Sequence, residues 1–237
     1  MSASERTYRR SFLRRMVGAA AAASASIVAG SAAAAQESPL DDWMKEVKGT
    51  HRCLFDFPQH KNGLPLLHIL NYLNTYSAAY KVAPGQAGAV GTLYGIGTQS
   101  SIPFAFTDAI WSTYKLGEYT SLKDAAGKAY TRNVFHRPTR DDLHLLMQAV
   151  QSPTIPAFAE ALPALGIESL QKMGTTFLIC ANALGAWCLE LEARGKGKAA
   201  EIEKELRAGL LPGVTIVPAM VIAIQQAQAA GIGYNRQ

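Results

Sequence analysis

Lys172-Met173-Gly174-Thr175-Thr176-Phe177-Leu178-Ile179-Cys180-Ala181-Asn182-Ala183-Leu184 is the stretch on which the fold turns. Ile167 to Met173 has the composition of a short helix, and Gly174 stops it. Thr175 to Cys180 is then a continuous apolar run, β-branched and aromatic, and too short for a buried helix. A strand without a polar face is buried on both sides, which is the condition of a parallel sheet covered by helices. Ala183 to Ala193 resumes a helical pattern, so Cys180 closes the strand just ahead of a helix.

The same rhythm continues in both directions. Towards the C-terminus, Ala199 to Gly209 predicts a helix, Val214 to Val217 a strand and Ala219 to Ala230 a last helix. Towards the N-terminus, Ala87 to Ile96 reads as a small, glycine-rich strand, against whose backbone something must pack closely. His51 to Phe57 alternates Cys53, Phe55 and Phe57 against Arg52, Leu54 and Asp56 until Pro58 ends it. Between them, Leu66, Ile69, Leu70, Leu73 and Tyr76 form the apolar stripe of a helix from Leu64 to Tyr80, with Pro65 tolerated in its first turn. Ile102 to Leu116 predicts one further helix. Residues 117–160 break the rhythm, apart from a short helix around Asp141 to Val150, and read as an insertion forming a lid, an edge or an oligomer contact. Alternating strands and helices define a single-domain α/β sandwich of three layers with a mainly parallel sheet, over residues 51–234, behind a polar arm at 36–50.

Composition narrows the function classes. With 237 residues, 49% hydrophobic and 17% charged, the chain is neither disordered, collagen-like, disulfide-dense nor a polytopic membrane protein. The net charge of +5 is concentrated in residues 1–35, which carry five Arg and one Glu. The remaining 202 residues balance 18 basic against 17 acidic side chains, so nothing points to nucleic acid.

Thr7-Tyr8-Arg9-Arg10-Ser11-Phe12-Leu13-Arg14 has the pattern of a twin-arginine export signal. Met16 to Ala35 follows as 20 uncharged residues, 16 of them Ala, Gly or Ser, ending in an Ala-x-Ala pattern before Gln36. So weakly hydrophobic a run predicts a removable signal over 1–35 rather than an anchor, and hence an exported or periplasmic chain with no stable membrane span after cleavage.

In an open parallel sheet, ligands bind at the carboxyl ends of the strands. Cys180 is the group there best suited to chemistry, because helix amides and the helix dipole favour a thiolate. The plain alternative is a core cysteine acting as a small hydrophobe. Cys53 and Cys188 are weaker candidates, and a Cys53–Cys180 bridge requires their strands to be neighbours. His60, in the loop after the first strand, and Asn182, beside Cys180, are candidate binding groups. Gly97 falls in Gly91-Thr-Leu-Tyr-Gly95-Ile-Gly97-Thr-Gln-Ser100, a weak match to a phosphate-cradling turn and a better one to a tight turn with close packing. The five histidines show no paired metal-ligand spacing, so neither metal nor cofactor is expected.

Glu168 to Leu184, with its short helix, Lys-x-Gly, apolar strand and Cys, resembles the DsrE/DsrF-like sulfur-relay family. Gly209-Leu-Leu-Pro-Gly213-Val-Thr-Ile-Val-Pro218-Ala resembles that family's closing strand, and Phe106 to Glu118 its exported members. The resemblance implies a flavodoxin-like sandwich, homo-oligomers such as trimers or pairs of trimers, and persulfide carried on Cys180 between a sulfur donor and an acceptor. Gly231 to Gln237 carries no cysteine, so that stretch offers no resolving thiol. Two expectations stand side by side: a thiol-based sulfur carrier or transferase, and a non-enzymatic binding or assembly protein whose Cys180 is structural.

Overall fold

The computed structural model describes residues 39–237; the leader and the expected signal cleavage site lie outside the described residues. Strands β1 (His51–Asp56), β2 (Ala87–Leu93), β3 (Thr175–Cys180), β4 (Val214–Val217) and β5 (Gly233–Arg236) form one sheet in the order β4-β3-β2-β1-β5. Every pairing is parallel. The helices are α1 (Leu64–Ala78), α2 (Asp108–Thr113), α3 (Leu116–Thr120), α4 (Leu143–Ala149), α5 (Ile167–Lys172), α6 (Ala181–Ala193), α7 (Ala199–Ala208) and α8 (Met220–Ala229). The result is the three-layer α/β sandwich expected from the alternation.

The two outer layers are unequal. Phe55, Leu93, Phe177 and Ile179 face a thick layer, where α1, α6 and α7 contribute Leu66, Trp187 and Leu206 to one large core. On the opposite face, Leu54, Val90, Leu178 and Val217 meet a thin layer made of α8 and a 3-10 helix at Pro39–Glu46. The polar stretch ahead of β1, read as a short helix or loose arm, forms a short helix that contributes to the core. Trp43 and Val47, four residues apart, are buried against the sheet while Asp41, Asp42 and Lys45 turn outward, a spacing the polar composition obscured.

The glycine-rich β2 behaves as its composition demands. A Cβ on Gly91 would lie 2.6 Å from the Phe177 ring, so the large aromatic of β3 occupies the space a side chain would need. One other expectation is corrected, and two features lacked a clear signal. The helix expected over Ile102–Leu116 is a 3-10 turn at Ile102–Ala105, then α2 and α3, because Phe106 is extended and Lys115 takes a left-handed φ of 52°. The segment 117–160 contributes to the thick-layer core: Tyr130, Phe135, Leu145 and Leu146 are buried there, and Asp142 accepts from Tyr130, Arg132 and Thr139 at 2.6–2.8 Å to hold it. The edge strand β5 had no signal, since its four residues are all exposed and show no apolar alternation.

Connections decide where a ligand edge opens. The chain leaves β3 into α6, in the thick layer, and leaves the adjacent β4 into α8, in the thin layer. Neighbouring strands whose exits diverge to opposite faces leave a crevice at their carboxyl ends. Cys180 is the last residue of β3, at that point.

Candidate functional site

Cys180 is the N-cap of α6, with an extended backbone at φ −80° and ψ 118°. Its Sγ accepts from the Ala183 N–H of α6 at 3.4 Å and from the Met220 N–H of α8 at 3.3 Å. Two helices of 13 and 10 residues thus present their N-terminal amides to one sulfur from opposite layers. Each end carries part of its helix's positive macrodipole, and both favour negative charge at Sγ. A third bond, from the Asn182 N–H to the Pro218 carbonyl at 3.2 Å, ties the two turns together and fixes the geometry.

The other thiols lack this setting. Cys53, Cys180 and Cys188 are all free. β2 separates β1 from β3, so the bridge between Cys53 and Cys180 does not arise. Burial pushes the Cys188 thiol up to about 12, with Glu203 adding to the rise, and burial also raises Cys53. The closest polar contact of Cys53 Sγ is a long one, 3.8 Å to the Leu54 carbonyl.

Beside Cys180 the sheet edge carries a row of groups that periodicity did not single out. The β2–β3 register pairs Leu93 with Ile179, so Tyr94 continues it next to Cys180 on the thin-layer face. The Tyr94 hydroxyl donates to Asp56 Oδ1 at 2.7 Å, and Tyr234 donates to Oδ2 at 2.6 Å. The Thr92 hydroxyl lies 3.4 Å from Asp56 Oδ1. Asp56 is only 2% exposed, and three hydroxyls solvate its carboxylate in place of water. Burial and the Asp56 carboxylate raise the Tyr94 phenol well above its ordinary range, while Tyr234 is raised first by its bond to Asp56. Both phenols are thereby held as neutral donors. The signal for this row was the parity of β1, which puts Asp56 on the same face as Leu54 and so inside a buried layer.

The remaining sequence candidates are placed as follows. His60 sits at the ligand edge, but its ring turns into the thick-layer core against Phe104, with Nδ1 accepting from the Asn62 N–H at 3.1 Å. Its Nε2 is buried without a hydrogen-bond partner, and burial lowers it to about 4, outweighing an upward pull from the Thr98 carbonyl. The Gly97 N–H donates to Glu190 Oε2 at 3.1 Å, so a carboxylate of the chain itself already occupies that amide. Ser100 and Ser101 close the turn on Tyr94 through its carbonyl, which is the tight-turn role rather than a phosphate cradle. The Asn182 side chain is exposed and has no hydrogen bond to Sγ; its contribution is the backbone tie to Pro218. No group of three metal-ligating side chains occurs among the described residues. No helix among them is long and apolar enough to cross a membrane.

Comparison with models of known families, with curated proteins and with solved structures finds no match to this chain.

Proposed function

We propose that the protein is a thiol-based sulfur carrier of the DsrE/DsrF type, exported through a twin-arginine signal, with Cys180 as the sulfur-bearing nucleophile. The observation that carries this reading is the pair of helix N-termini whose amides both donate to Cys180 Sγ. In the forward step the Cys180 thiolate attacks a sulfane sulfur of a polysulfide. An Sγ–S bond forms as the S–S bond to the rest of the polysulfide breaks, and the shortened polysulfide departs with the electron pair and takes up a solvent proton. An acceptor thiolate then attacks the outer sulfur and releases Cys180 as thiolate, so the exchange is redox-neutral overall. The two amides that hold the thiolate also hold the leaving thiolate of the second step.

Partner docking, or assembly of copies, is supported by exposed apolar side chains around the same edge. Val221 and Ile222 open α8 at 71% and 53% exposure, and Ile96 follows β2 at 63%. One observation favours the second reading, a structural cysteine in a binding or assembly protein: Cys180 is 5% exposed and belongs to the thin-layer core.

Mass spectrometry of the intact, reduced protein after polysulfide treatment separates the two. In the Cys53→Ser/Cys188→Ser background, the carrier gains one sulfur atom, sensitive to reductant and lost with Cys180→Ser. A protein that gains none in that background holds a structural cysteine.

A further inference from the structure

A second concave feature lies away from Cys180, between the outer flank of α1 and the β5 end of the sheet, with a volume of about 680 Å³. That falls within the range of small-molecule sites, roughly 300–1,000 Å³. Both walls come from stretches of sequence without acid. No Asp or Glu occurs between Asp56 and Asp108, the stretch that holds α1, or after Glu205, the stretch that holds β5. Lys61 and Arg236 line the groove, and no carboxylate side chain does. Neither cation forms an ion pair among the described residues, whereas Arg132, Arg137, Arg140, Arg194 and Arg207 each meet a carboxylate. Asp56 is the partner of Arg236 in the β1–β5 register, but it is buried and accepts from the Tyr94 and Tyr234 hydroxyls at 2.7 and 2.6 Å instead. The groove is therefore a concave surface with uncompensated positive charge.

Its other polar groups add donors. Asn71 Oδ1 accepts from the Thr75 hydroxyl at 3.4 Å, and Asn235 Oδ1 accepts from Gln237 Nε2 at 2.7 Å. Both Nδ2 groups are left as donors with no partner among the described residues. Two cations and spare N–H donors suit a group that only accepts, which is what an ionised carboxylate is. The remaining surface is apolar. Phe55, Leu64 and Pro65 line the groove with the rings of Tyr72, Tyr76 and Tyr80. Those rings pack edge-on or tilted against one another, with centroids 4.9 and 5.4 Å apart, so they form an apolar side wall and not a stacking platform. A bare inorganic anion would leave this surface wet.

We propose that the groove binds an organic carboxylate with an apolar body, its carboxylate held by Lys61 and Arg236 and its body against Leu64, Pro65 and Tyr72.

Calorimetric titration of the protein with octanoate, its uncharged analogue octanamide and inorganic phosphate tests this. Octanoate binds saturably with a Kd at or below about 1 mM, and the other two bind at least about fivefold more weakly. Lys61→Gln and Arg236→Gln, both at exposed positions, each weaken octanoate about fivefold, while the denaturation midpoint and the alkylation of Cys180 are unchanged. Absence of saturation with octanoate overturns the proposal, as does binding that both variants leave intact. Octanamide binding as tightly as octanoate would remove the role of the cations, and phosphate binding as tightly would remove that of the apolar wall; either result overturns it too.

Discussion

Cys180 occupies an N-cap, a position usually filled by Ser, Thr, Asp or Asn, whose oxygen satisfies a helix amide. Sulfur is a poorer acceptor, yet here it takes amide bonds from two helix ends, as the proposed sulfur-carrying role requires. His60 shows the opposite use of burial. Its folded value of about 4 lies below the ordinary 6.5, so the unfolded chain takes up a proton first as the pH falls. The stability associated with neutral His60 is complete above pH 6.5 and is lost progressively towards pH 4, by roughly 3 kcal/mol. Chemical denaturation across this window should show that loss, and His60→Phe should flatten it. Cys180 was legible because an apolar strand ending in Cys before a helix is a local pattern. The Asp56–Tyr94–Tyr234 row was not, because it joins three strands 38 to 178 residues apart along the chain. His60 shows the limit from the other side: its loop position was readable, but the rotation of its ring into the core was not.

At the scale of elements, four strands were readable from their apolar runs, the partly exposed edge strand β4 among them, and only β5 was missed. β3 is apolar throughout and β2 is small and glycine-rich, so each declares its burial. β5, with Gly, Tyr, Asn and Arg all exposed, is held by its pairing with β1 and carries no pattern of its own. The contact between β2 and β3 is correspondingly exacting. Gly91→Ala drives a methyl group to 2.6 Å from the Phe177 ring and should cost about 1–3 kcal/mol in urea denaturation. Gly91→Ala combined with Phe177→Leu should recover part of that loss, because the two side chains compete for one volume. The break between the 3-10 turn and α2 escaped detection for a different reason: Phe106 forms an antiparallel bridge with Leu210, a tertiary contact that overrides the helical pattern around it.

For the whole molecule, the inequality of the layers matters most. The thick layer is redundant, whereas the thin one rests on α8 and the 3-10 helix that buries Trp43. Trp43→Ala should therefore cost about 3–5 kcal/mol, read as a lower midpoint in denaturant. Because it loosens the layer that packs on Cys180, it should also increase labelling of that thiol by bulky reagents. The same asymmetry sends α6 and α8 to opposite faces, so that their N-termini meet at one sulfur. The most direct comparison lies within a single molecule, in the rates at which iodoacetamide labels the three thiols of the reduced protein at pH 7, resolved by peptide mass mapping. A Cys180 poised for sulfur transfer is labelled at least about ten times faster than Cys53 or Cys188, whose thiols burial holds protonated. Labelling of Cys180 no faster than that of Cys188 would contradict sulfur transfer by Cys180.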